Sequence, residues 1–157
     1  MSLDLGKLVP ADRIRGEDDE ETRELQDMLA RARTYLLSHD WCESVSEAYL
    51  GFGVGGVVAV FLFRTKLKTG AEELLWVVEG DLPSAYLVSD RATTAAAALE
   101  IYADQMHDWV EAVRKGTGLQ DVFPVDASAD EERASLLETR IKLLRRDIVP
   151  AAAADAT

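Results

Sequence analysis

A chain of 157 residues that is 48% hydrophobic and 29% charged has the size and composition of one folded domain, which argues against wholesale disorder and against dependence on a disulfide or metal staple. Its formal net charge of -12, from 29 acidic against 17 basic side chains, repels phosphate backbones and anionic lipid headgroups, so neither nucleic acid nor a membrane is the expected partner. Cys42 is the only cysteine, which excludes an internal disulfide and points to the cytoplasm, where many bacterial proteins are acidic for solubility.

Residues 1 to 16 carry scattered apolar side chains, Pro10 and Gly16 without a sustained period and read as an N-terminal arm. Met1 to Lys7 lacks the basic-then-apolar order of a signal peptide, so export is not expected. The cluster Glu17-Asp18-Asp19-Glu20-Glu21 suits a helix N-terminus, where carboxylates meet unsatisfied N–H groups. The first helix is predicted to run to about Ser38, with Leu25, Met28, Leu29, Ala32, Tyr35 and Leu36 on its buried face and with Arg31 and Arg33 complementing its C-terminal end.

Strand formers follow. The first strand is expected at about Val45 to Phe52, with the glycines after it punctuating the connection. Val57 to Phe63 is apolar on both alternating faces and reads as a central strand that leaves the core at Arg64 to Leu67. Lys68-Thr69-Gly70-Ala71 makes a hairpin turn into Leu74 to Val78, again apolar on both faces, and Ala85 to Val88 suits a short edge strand after Pro83. The uncharged stretch Ala48 to Phe63 holds the Gly51-x-x-x-Gly55 spacing of packed membrane helices. It is shorter than the roughly 20 apolar residues that a span needs, and it is rich in strand formers.

The second helix is predicted from about Thr94 to Lys115, with Leu99, Tyr102, Met106, Trp109, Val110 and Val113 on one stripe and Gly116 as a left-handed cap. Phe123-Pro124-Val125 is expected to pin the following loop against the core. A third helix starts at the capping-box pattern Ser128-Ala129-Asp130-Glu131, carries Ala134, Leu137, Ile141, Leu144 and Ile148 inward, and is expected to stop at Pro150 before a frayed tail, 150–157. The predicted fold is one α+β domain: an antiparallel meander of three to four strands, preceded by one helix and followed by two, with 17–149 as its ordered core. No internal repeat or linker divides it.

Residues able to carry chemistry are few. Gly51-Phe52-Gly53-Val54-Gly55-Gly56 lacks the following helix and the lysine and hydroxyl of a phosphate loop, so it reads as a bulge or tight connection. His39 and Cys42, beside Asp40 and Glu43, have metal-ligand spacing but make only two strong ligands, and no metal or cofactor is expected. His107 is flanked by Asp104, Asp108 and Glu111, and Glu79 and Asp81 leave a strand end together; these three, His107, Glu79 and Asp81, are the least unlikely catalytic groups. No Gly-x-Ser-x-Gly, His-Glu-x-x-His or EF-hand pattern is present.

The feature that leans toward function is the sheet itself. With apolar side chains on both faces, it needs two covers, and a face left open would be a dimer interface or a partner surface built on Trp76, Val78, Phe61 and Phe63. The leading expectation is a non-enzymatic protein-interaction module, self-associating or acting as an acidic, immunity-type antagonist of a basic partner. The alternative is a small enzyme or ligand-binding domain with its site between sheet and helices.

Overall fold

The computed structural model describes residues 3–120, 122, 124–125 and 128–155, and at its centre is an antiparallel sheet in the sequential order β1-β2-β3-β4-β5. The strands are β1 (Val9–Pro10), β2 (Cys42–Val54), β3 (Val58–Leu67), β4 (Glu72–Gly80) and β5 (Ala85–Val88). The fold is α+β as expected, with five strands rather than three to four. The added strand comes from the residues read as an arm. Val9 pairs with Leu50 and Pro10 with Tyr49, a ladder too short and too irregular in sequence to show a period of two.

Helices cover both faces of the sheet. Helix α1 (Asp19–Leu37) begins at Asp18, whose side chain accepts the Glu21 N–H at 2.8 Å. It buries Leu25, Met28, Leu29, Ala32 and Leu36 against Ala48, Leu50, Ala59, Phe61, Phe63, Leu75 and Val77. Helix α2 (Ala95–Lys115) begins at Thr94 and ends at Gly116, whose φ of 67° is the left-handed cap conformation that glycine adopts without a Cβ penalty. It packs on the opposite face, where Val58, Val60, Leu62, Trp76, Val78 and Leu87 meet Leu99, Tyr102, Met106, Trp109 and Val110. Alternate residues of β3 and β4 thus enter different cores, which is the pleat rule applied to a sheet clothed on both sides.

Helix α3 (Glu131–Leu143) adds Ala134, Leu137 and Ile141 to the α2 side. Its cap is Asp130, which accepts the Arg133 N–H at 2.8 Å, two residues after the serine expected in that role. Arg114 of α2 ties the two helices, reaching Glu138 at 2.7 Å and Glu131 at 3.0 Å, and its guanidinium holds both carboxyls below their ordinary range.

Pro150 does not stop the helical chain. The helix widens into a π turn at Leu144–Ile148, where the Val149 N–H bonds the Leu144 carbonyl, and continues as α4 (Val149–Asp155). A π turn changes the i−4 geometry with which a proline ring collides, and Ile148, Val149 and Ala152 are buried there. Packing therefore orders a tail that alanine composition alone marks as frayed. Of the Phe123-Pro124-Val125 loop, Phe123 lies outside the described residues; Val125 packs against the α2-side core.

Among the described residues no helix is long and apolar enough to cross a membrane, and the stretch 48–63 is a strand, a turn and a strand. Its glycine run contains a register shift between Leu50 and Phe52 and a turn at Gly56, which has φ 76°. At Gly51 the missing side chain is required by packing, because a Cβ there would lie 2.9 Å from both Ala95 Cβ and Trp76 Cζ3.

Candidate functional site

The three polar residues singled out from the sequence are not brought together. Glu79 is 7% exposed at the end of β4, where it accepts the Ser84 hydroxyl at 2.6 Å and meets Arg31 of α1 at 3.5 Å. Asp81, two residues on, is exposed and pairs with Arg140 of α3 at 2.7 Å. The helices that hold these carboxylates lie on opposite faces of the sheet, so Gly80 divides the pair. His107 is half-buried on α2 and, among the described residues, makes no hydrogen bond or ion pair, while Asp104 and Glu111 turn to Arg145 and Lys115. An acid–base pair needs hydrogen-bond reach, which this arrangement does not supply.

Around Glu79 the α1 side carries a knot of aromatic rings. His39 stands at its centre, with ring centroids 4.9 Å from Tyr35, 4.9 Å from Trp41 and 5.1 Å from Tyr86. Its Nδ1 faces the carbonyls of Tyr35 at 2.9 Å and Leu36 at 3.2 Å; both are acceptors, so Nδ1 is the donor and the ring closes the end of α1. Cys42, the other half of the metal-like spacing, is buried, and burial pushes its thiol up against the opposing pull of Lys68. The described residues contain no group of three metal-ligating side chains.

Burial, with Tyr86 and Glu79 nearby, pushes the Tyr35 phenol up to about 12 from 10.0. A folded-state value above the unfolded one makes this contribution to stability whole below pH 10 and lost as pH rises through about 12. Tyr35→Phe is therefore expected to gain stability relative to the native chain across that interval, and not below it. Urea unfolding on either side of the interval measures the difference; equal shifts at both ends would contradict the assignment.

Trp76, Val78, Phe61 and Phe63, the expected interface, are each 0% exposed. Trp76 and Val78 lie under α2, and Phe61 and Phe63 lie under α1, so the chain's own helices supply both covers. An interface through these side chains is closed off. Their β-branched and aromatic pattern signals burial, and it does not distinguish cover by a partner from cover by a helix distant in sequence.

A cleft not expected from the sequence lies at the opposite edge of the sheet. It encloses about 550 Å³ between Gly51–Val54 of β2, the segment Arg15–Glu17, the start of α1 and Asp155. Glu21 closes one side, its Oε1 accepting the Glu17 N–H at 2.8 Å and its Oε2 the Gly55 N–H at 3.1 Å. Beyond it, Glu17, Asp18, Asp19, Glu20, Glu24 and Asp27 crowd the first turns of α1. Among the described residues none of these carboxylates is ion-paired with lysine or arginine. The sequence signals at this site are the acidic run and the glycine run, and each has a sufficient local reading, as a helix N-terminus and as a tight connection. Comparison of the chain with protein families, with curated proteins and with solved structures gives no match.

Proposed function

We propose that the protein is a non-enzymatic binding module whose partner is a basic protein segment, received at the cleft between β2 and the acidic start of α1. The observation that carries this reading is the coincidence there of an open cleft of about 550 Å³ and a run of carboxylates without lysine or arginine ion pairs among the described residues, in a chain of net charge -12. Elsewhere some acids are neutralised locally, as Glu47 is by Arg64, Asp81 by Arg140 and Glu138 by Arg114, and acids without an ion pair among the described residues, such as Asp40, Asp90 and Glu100, stand apart in the sequence rather than in one run. Like charges crowded on one helix repel, and a cationic partner relieves that repulsion while the field speeds its approach. With the hydrophobic sheet faces enclosed, electrostatic attraction at this end replaces sheet-face self-association as the binding force.

The test is a nuclear magnetic resonance titration of the full chain with a flexible peptide of alternating lysine and glycine at low salt. Shifts are expected to concentrate between Glu17 and Asp27 and at the neighbouring β2 edge, and to fade as salt screens the charges. The glutamate counterpart should leave the spectrum unchanged. Shifts spread evenly over the surface, or none at all, would overturn the reading.

A further inference from the structure

We infer that Gly51–Val54 is a strand-addition site, at which an extended peptide bearing lysine or arginine pairs its backbone with the free outer edge of β2. This rests on the basic-partner reading and adds the mode by which the partner is held. The case begins with where β1 stops. Its ladder on β2 ends with Val9 opposite Leu50. Because the two strands are antiparallel, the residues before Val9 are the ones that would continue along Gly51 and Phe52. They turn away instead. Leu5–Lys7 form a 3-10 turn, in which Asp4 Oδ1 accepts the Gly6 N–H at 3.0 Å and the Leu8 N–H bonds the Leu5 carbonyl at 3.1 Å. Leu3, Leu5 and Leu8 pack into the α2-side core, which holds the diverted chain there.

The vacated edge faces the cleft and, among the described residues, is paired only on its inner side, where Phe52, Gly53 and Val54 stand opposite Val60, Ala59 and Val58 in regular register. An unpaired edge presents N–H and C=O groups to any extended chain that can reach it. Earlier in β2 the same edge carries two register shifts, at Cys42/Ser44 and Val45/Glu47, together with the charged side chains of Glu43 and Glu47, whereas the single shift at Leu50/Phe52 bends the strand at Gly51 and leaves Phe52–Val54 regular and uncharged. Gly51–Val54 carries no charge, and two of its four residues are glycines, which place no side chain at the edge. Four residues at about 3.4 Å each give a pairing length of about 14 Å, enough for a short peptide strand.

Charge selects the occupant. Glu17 and Asp155 stand exposed at the cleft, neither in an ion pair among the described residues, and the acidic turns of α1 continue from Glu17. Among the described residues Arg15 is the one basic side chain lining the cleft, and its Nη1 donates to its neighbour's carbonyl, that of Ile14, at 2.7 Å. A peptide with alternating basic and apolar residues would pair its backbone with β2 and direct its cations toward these carboxylates.

The probe is the end-capped peptide KVKVKVK, titrated into the full chain at low salt beside the same peptide N-methylated at every inner amide, which keeps the charge and abolishes strand pairing. The unmodified peptide is expected to bind about tenfold or more tighter than the methylated one, and to slow hydrogen exchange at amides within Gly51–Val54 by about tenfold or more. Equal binding of the two peptides with unchanged exchange at Gly51–Val54 would overturn strand addition while leaving the basic-partner reading in place. Binding of neither would overturn both. The double variant Glu17→Lys with Asp155→Lys alters exposed side chains only and should weaken the unmodified peptide by about tenfold; undiminished affinity would remove these two carboxylates from the site and overturn the placement.

Discussion

Trp76→Ala is expected to destabilise the protein by about 3–5 kcal/mol, a large share of the about 5–15 kcal/mol that holds a typical domain folded. Trp76 is 0% exposed, sits between the sheet and α2, and occupies the space that Gly51 leaves beside it. Its Nε1–H donates to the Ala92 carbonyl at 2.9 Å, joining the sheet to the segment that leads into α2. Truncation opens a cavity and also leaves that buried carbonyl without its donor. Trp76→Phe separates the two effects: it retains most of the volume and is expected to cost about 1–3 kcal/mol, chiefly for the lost hydrogen bond. Urea unfolding measures both. If this residue were an interface anchor instead, the alanine variant would unfold near the native midpoint and change only the oligomeric state seen by light scattering. A loss below about 1 kcal/mol would therefore refute the core assignment.

Gly80→Ala is the second large effect, and its origin is backbone rather than side chain. Gly80 has φ 150°, outside the range that residues with a Cβ ordinarily adopt. A Cβ at this position would press on the Val57 carbonyl oxygen and lie 2.9 Å from Val58 Cα, and neither can swing aside as a flexible side chain can. Conformational strain of about 1–3 kcal/mol and crowding of similar size act together, so a loss of about 3 kcal/mol or more is expected. Gly70→Ala is the control. Gly70 also has a positive φ, 93°, but nothing lies within 4 Å of its added Cβ, so only the conformational part of about 1–3 kcal/mol should appear. Equal losses at the two glycines would show that the contact with β3 is not the larger cause. The position matters because Gly80 sends Glu79 and Asp81 to different faces and opens the turn in which the Ser84 hydroxyl donates to Glu79 and the Pro83 carbonyl accepts the Tyr102 hydroxyl.

The elements were legible in the sequence wherever a periodic pattern ran long enough to be read. Acidic residues before a 3.6-residue repeat placed α1, and Thr94 and Gly116 bounded α2, because caps act on neighbouring amides and need no tertiary partner. Two-sided apolar runs marked β3 and β4 as fully buried for the same local reason. The departures arose where distant contacts decided the outcome. Val9–Pro10 is a strand only because Leu50 and Tyr49 lie beside it. The chain stays helical past Pro150 because a π turn adapts the backbone and Ile148, Val149 and Ala152 find a core to enter.

The candidate site was hidden in the sequence for a related reason. Gly51–Val54 and Glu17–Asp27 are separated by more than twenty residues, and each has a sufficient local explanation as a glycine-rich connection and as a helix start. Their juxtaposition depends on the hydrogen bond from Gly55 to Glu21 and on the 3-10 turn that draws the chain before Val9 off the β2 edge. By itself the sequence determined an acidic α+β protein with a meander apolar on both faces, since composition and period are properties of the chain alone. Only the tertiary structure decided what covers those faces. The answer is the chain's own helices, because α1 and α2 present apolar stripes that match opposite sides of the same strands.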